Sequence, residues 1–190
     1  MKQLILASTS VYRQELLKRL GLAFKAQAPG IDEDAEKKKN FKPKELAEHL
    51  AQLKARALKN PDAVIIGGDQ LVDFNGKILG KPGASAAAIE QLQAMSGKSH
   101  DLITAVCVAS PEGEVMITDI TRMTLRNLTR TEIERYVSQD QPLDCAGAYK
   151  IEKLGISLME KIETEDFTAI QGLPLIKLAQ VLREKGFQLP

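Results

Sequence analysis

Apolar and polar positions along this chain repeat with two periods, one near four residues and one of two. Residues 2–7 form a short apolar run that predicts a strand, and Ser8-Thr9-Ser10 then supplies capping hydroxyls for a helix over residues 10–20. Leu16, Leu17 and Leu20 fall on its inward face, and Gly21 ends it. Residues 24–28 predict a second strand, broken by Pro29-Gly30. Residues 31–44 are polar, with Asp32, Glu33, Asp34 and Glu36 ahead of the run Lys37-Lys38-Lys39, and read as a solvated loop. Pro43 opens a long helix to about Lys59, with Leu46, Leu50, Leu53 and Ala57 at helical spacing, and Asn60-Pro61-Asp62 stops it.

The stretch from Val64 to Pro82 departs from both periods. Val64, Ile65 and Ile66 are all branched and apolar, the composition of an interior strand buried on both faces. Gly67, Gly68 and Asp69 follow, then an Asn75-Gly76 turn, then Lys81 between Gly80 and Pro82. Beyond it the pattern predicts a helix over residues 84–95 and two long strands, 100–110 and 114–128, joined at Pro111-Glu112-Gly113. A short helix over 131–137 has Thr129 as its capping candidate; a polar loop over 140–155 carries CAGAYKIEKLG. Residues 155–162 are strand-like and 173–185 predict a closing helix ended by Gly186. Strands alternate with helices, so the class is α/β with a mixed sheet, in one domain of 190 residues.

Composition narrows the function classes. Lys and Arg number 26 against 25 Asp and Glu, so the net charge of +1 points to neither a nucleic-acid nor a membrane partner. No apolar run approaches the length of a membrane span, and the N-terminal run is too short for a secretory signal. Cys107 and Cys145 have neither disulfide-framework nor metal-knuckle spacing, which suits free thiols in a reducing cytoplasm.

Two groups of residues have the character needed for phosphate chemistry. Ser8, Thr9, Ser10 and Arg13 lie at a strand-to-helix junction, where free backbone N–H groups and the helix dipole favour an anion and Arg can bind phosphate through two donors. The same spacing also fits a plain N-cap followed by a surface arginine. Asp69 and Lys81 flank a hairpin at the end of a strand, where ligands of open α/β sheets gather. Asp69 suits a divalent metal or a general base and Lys81 suits a phosphate, or the two are a turn aspartate and a hairpin lysine. Glu33, in the acidic segment, and Lys54, on an amphipathic helix, are weaker candidates, and a lone His100 beside Thr104 reads as structural. No P-loop, GxGxxG fingerprint, zinc-ligand pair or nucleophile elbow is present.

Taken in order, LASTSVYRQELL, the Asp32-Glu33 pair, Lys54 within AQLKARAL, GGDQLV, ILGKP, SGKSHDLITAV, CAGAYKIE and IQGLPL resemble the Maf family of nucleoside triphosphate pyrophosphatases. These segments run from Leu6 to Leu175. One departure is Val11, where the family usually has proline; valine is tolerated at that early helical position. The resemblance implies an elongated α/β fold with a mixed central sheet flanked by helices. It also implies two lobes around a deep nucleotide-binding cleft, an architecture like that of the inosine triphosphate pyrophosphatases, and often a homodimer. It further implies hydrolysis of a nucleotide between its α and β phosphates with a divalent cation such as Mg2+, Mn2+ or Co2+. On this resemblance Ser8, Ser10 and Arg13 hold phosphates, and Lys54 and Lys81 add positive charge. Glu33 and Asp69 serve the metal and the attacking water, Asp69 as proton acceptor.

The family divides at three positions. One branch carries SPRR, GADT and YGIQ and prefers dTTP and UTP. The other carries an aromatic residue, Gln and Glu, and resembles the 7-methyl-GTP pyrophosphatases. Tyr12, Gln70 and Glu152 align this chain with the second. The chemistry agrees: a 7-methylguanine ring is cationic and is attracted to an aromatic face. A carboxylate accepts from guanine N1–H and the exocyclic amine, and offers no donor to the carbonyls of uracil or thymine. Gln70 is expected to reach a base edge or the ribose. The alternatives are a dTTP/UTP or broad-range pyrophosphatase, or a regulator of septum formation that acts without catalysis.

Overall fold

The computed structural model describes residues 2–58 and 60–190. Among them the chain order is β1 (Gln3–Ala7), α1 (Val11–Lys18), β2 (Lys25–Ala26), α2 (Glu33–Lys37), α3 (Pro43–Ala57), β3 (Ala63–Phe74) and β4 (Lys77–Leu79). It continues through α4 (Ser85–Met95), β5 (Ser99–Ser110), β6 (Gly113–Leu125), α5 (Arg130–Asp140), β7 (Met159–Glu163), α6 (Phe167–Ile170) and α7 (Leu175–Glu184). The sheet order is β2-β1-β3-β5-β6-β7, with β4 paired to β3. β1 runs parallel to β2 and to β3, whereas β4 and β7 are antiparallel to their neighbours, so the expected mixed α/β sheet is present.

The chain forms two compact units. One comprises Met1–Gln70, Thr104–Asp119 and Asp166–Pro190; the other comprises Leu71–Ile103 and Ile120–Glu165. In the first, the period of two along β1 and β3 sends Leu4, Leu6, Val64 and Ile66 into one core, where they meet Leu16 and Leu17 of α1 and Leu178 and Leu182 of α7. Gly67 belongs to the opposite set and lies against α3: a Cβ added there would be 2.2 Å from the carbonyl oxygen of Ala51 and 2.5 Å from the backbone nitrogen of Ala55. Helices therefore cover both faces, as the uniformly apolar start of β3 requires. In the second unit, the β3–β4 hairpin turns at Asn75 and Gly76, whose φ values of 55° and 80° are those that an Asn-Gly turn supplies. There α4 packs on α5, burying Leu92, Met95, Ile133 and Val137.

Several expected elements are corrected. The segment read as a solvated loop over 31–44 contains α2, because its carboxylates find partners on α3: Glu33 pairs with Lys54, and Glu36 with His49. Asp32 caps α2 by accepting from the backbone N–H of Ala35. The expected strand over 24–28 shrinks to Lys25–Ala26. α5 extends further than expected at both ends, from Arg130 to Asp140, behind a capping box between Thr129 and Glu132. The strand expected from 155 begins only at Met159, after a 3-10 turn over Leu154–Leu158. α3 closes at Ala57, and its expected end at Lys59 lies outside the described residues.

Candidate active site

The alternation along β3 also distributes the polar groups. Asp69, expected at a strand end, lies midway along β3 because the strand continues through the hairpin arm to Phe74; it shares the face of Gly67 and therefore looks toward α3. On α3, Ala47, Ala51 and Ala55 form a fully buried row of small side chains, which lets the helix approach the strand backbone at Gly67. Lys54, one turn beyond Ala51, is carried in with them and is only 6% exposed. Its ammonium group donates to Asp69 Oδ1 at 2.7 Å and lies 2.8 Å from Glu33 Oε1. One cation thus joins two carboxylates from three separate elements: α2, α3 and β3. Burial alone would raise the Glu33 carboxyl, but the hydrogen bond and charge of Lys54, helped by Lys37, outweigh it and hold the group below its ordinary value.

Gly68 and Gln70 face the other way. The space beside Gly68 is taken by Arg13, whose Nε lies 3.3 Å from where a Cβ would stand. That Nε donates to the carbonyl oxygen of Gly172 at 3.1 Å. Burial lowers the Arg13 pKa from its ordinary value, against the opposing charges of Asp69 and Glu33. Ser10 is the N-cap of α1 and accepts from the backbone N–H of Arg13; buried Ser8 accepts from the backbone N–H of Ser10. Since Ala7 pairs with Gly67 in a parallel register, Ser8 and Asp69 stand just beyond the ends of adjacent paired segments. The first unit therefore brings together Ser8, Ser10, Arg13, Glu33, Lys54 and Asp69. Tyr12 lies half-buried in the first turn of α1.

Gln70 has a structural engagement that its sequence position does not reveal. Its Nε2 lies 2.8 Å from Thr104 Oγ1, 2.9 Å from the carbonyl oxygen of Ala169 and 3.1 Å from that of Ile170. Thr104 in turn donates to the carbonyl of Ala169. The same segment is secured by buried Asp166, which accepts from the backbone N–H and hydroxyl of Thr168 and from the backbone N–H of Ile176. These residues were missed as site elements, although Asp166-Phe167-Thr168 has the form of a helix cap.

The remaining expected site residues, Lys81 and Glu152, belong to the second unit and are exposed. Lys81 follows β4 in the Gly80-Lys81-Pro82 segment. Glu152 projects from a turn closed by Lys153 and Gly155, whose backbone N–H groups donate to the carbonyl of Lys150 at 3.1 Å. Tyr136 anchors that turn by accepting from the backbone N–H of Lys150 at 2.9 Å, and Tyr149 is held by His100 at 2.9 Å. Burial drives the His100 pKa down to about 4, so the ring is neutral at neutral pH.

The residues from 3 to 185 match the family described as "Maf-like protein". The chain belongs to the Maf family. Among Maf-related proteins, a 7-methyl-GTP pyrophosphatase of Bdellovibrio bacteriovorus is 60% identical over 95% of this chain and 96% of its own. A 7-methyl-GTP pyrophosphatase of Xanthomonas oryzae pv. oryzae is 50% identical over the full length of both chains. A HAM1 protein from Coxiella burnetii, 16% identical, aligns over 97% of this chain and 100% of its own with a TM-score of 0.49.

Glu33 and Asp69 are the carboxylates in this cluster that could hold a divalent ion. Both are hard oxygen donors within reach of one nitrogen, which fits Mg2+ or Mn2+. Among the described residues no group of three His, Cys, Asp or Glu could hold an ion alone, so phosphate oxygens and water would complete the shell. No helix among the described residues is long and apolar enough to cross a membrane.

Proposed function

We propose that this Maf chain is a nucleoside triphosphate pyrophosphatase that hydrolyses 7-methyl-GTP to 7-methyl-GMP and pyrophosphate. The observation that carries the reading is the Lys54 ammonium group held between Asp69, midway along β3, and Glu33, in a chain 60% identical to a relative of that name. Water attacks phosphorus, the bridging α–β bond breaks, and the departing pyrophosphate takes up negative charge. Asp69 Oδ1 is occupied by Lys54, which leaves Oδ2 to accept the proton of the attacking water. Arg13, Lys54 and Lys81 offset the phosphate charge, and Ser8 and Ser10 add hydroxyl donors; positioning and charge neutralisation supply most of the catalysis in such reactions. A divalent cation (Mg2+, Mn2+ or Co2+) held by Glu33 and Asp69 would supply further neutralisation of the phosphates.

Selectivity rests on Tyr12, which offers a face to the cationic ring, and on Glu152, which accepts from the guanine edge. Two free thiols suit a cytoplasmic location, and family resemblance supports a homodimer. The test is product analysis by anion-exchange chromatography after incubation with 7-methyl-GTP and Mg2+. The reading requires 7-methyl-GMP and pyrophosphate in equal amounts; 7-methyl-GDP with phosphate, or an untouched substrate, would overturn it.

A further inference from the structure

The branch-distinguishing residue Gln70 is expected to read the base, yet its amide nitrogen faces inward. A primary amide has two hydrogens, and here three acceptors lie within 3.1 Å of that nitrogen. Two of them are backbone carbonyls, which can only accept. The third, Thr104 Oγ1, spends its own hydrogen on Ala169 and so also accepts from Gln70. This surrounding fixes the orientation of the amide, because a carboxamide oxygen turned toward two carbonyls would be repelled. The hydrogens with which Gln70 could read a nucleobase are therefore engaged.

What they hold is the segment that carries Gly172. Gly172 has a φ of 119°, and a Cβ there would stand 3.3 Å from Arg13 Cγ, so the guanidinium stem packs directly on this backbone. Gly172 also supplies the carbonyl that accepts from Arg13 Nε. A continuous path thus runs from Gln70 through the carbonyls of Ala169 and Ile170 to Gly172 and on to Arg13. Once Nε is tied down, the terminal nitrogens of the planar guanidinium point in one direction. Asp166 and Thr168 fix the same segment from its other side.

We propose that Gln70 is a positioning residue that sets the Arg13 guanidinium for the triphosphate by bracing residues 169–172 through its amide nitrogen. The inference rests on the pyrophosphatase reading. Glutamate at this position, of nearly equal shape, would set a carboxylate against two carbonyls.

The test is a kinetic double-mutant cycle between Gln70→Ala and Arg13→Lys, with kcat and KM measured on 7-methyl-GTP and on GTP and folding checked by thermal melting. Gln70→Ala is expected to lower kcat on both nucleotides by about 10- to 100-fold, the scale of a group displaced by roughly an ångström. The preference for 7-methyl-GTP over GTP should stay unchanged. In the Arg13→Lys background, Gln70→Ala should have almost no further effect. A loss confined to one of the two nucleotides, or losses that multiply independently, would overturn the proposal. Thr104→Val, which removes one acceptor and leaves Gln70 in place, repeats the cycle should Gln70→Ala not fold. If wild type cleaves another triphosphate and not 7-methyl-GTP, the substrate reading fails, while the cycle is measured unchanged on the triphosphate that is cleaved.

Discussion

The middle of β3 and the turn around Glu152 place their functional charges differently. Around Asp69, the charged groups themselves are buried: Lys54, Asp69 and much of Glu33 form one cluster on regular elements. At the turn, Glu152 is exposed, while buried Lys150 pairs with Asp144 and the buried His100, Tyr136 and Tyr149 fix the backbone beneath it. The difference matches the two tasks assigned to them. Groups that stabilise developing charge gain from a dry, preorganised setting, whereas a group that chooses among ligands can stand on a surface turn if the turn is rigid. Changes in the cluster should therefore damage stability and turnover together, and changes at Glu152 should alter preference alone.

Lys54→Met should have the largest effect. It leaves Asp69 buried without its cation and is expected to cost about 3–5 kcal/mol in urea unfolding. It should also lower kcat by at least about 100-fold. Gly67→Ala comes next, although it alters no charged group. Its methyl would collide with the backbone of α3, at a cost of about 3 kcal/mol, near the upper end for overpacking. Because α3 carries Lys54, a loss of turnover should accompany the loss of stability. A drop in stability with kcat intact would separate helix placement from the chemistry.

The buried support of the turn can be tested through pH. His100 is held neutral in the fold, with its pKa down from 6.5 to about 4, so between these values the unfolded chain binds more protons than the folded one. Stability should then fall as pH drops through that window, by on the order of 2 kcal/mol. His100→Gln should remove this part of the dependence, as read from urea unfolding across the interval. The smallest effect on stability belongs to Glu152→Gln, an exposed change expected to stay within about 0.5 kcal/mol of wild type. Its kinetic effect should be selective, reducing kcat/KM for 7-methyl-GTP more than for UTP.

Much of this was legible in the chain. The apolar run before Gly67-Gly68-Asp69 marks an interior strand, and Asn75-Gly76 marks its hairpin, because both signals are local. The Lys54 cluster was less accessible from pattern alone. Lys54 lies among inward-facing alanines, yet a lysine at such a position commonly extends to solvent, and only the approach of α3 at Gly67 makes its burial necessary. The acidic segment around Glu33 looked solvated because its partners, Lys54 and His49, are distant in sequence. The engagement of Gln70 with Ala169 and Ile170 spans about a hundred positions and involves backbone carbonyls, which no side-chain pattern records.

The most direct test of the account is a competition assay in which wild-type protein meets 7-methyl-GTP, GTP, dTTP and UTP together and the disappearance of each is followed by chromatography. The account predicts that 7-methyl-GTP is consumed first, with pyrophosphate released in step. Consumption of dTTP or UTP at an equal or greater rate would contradict it.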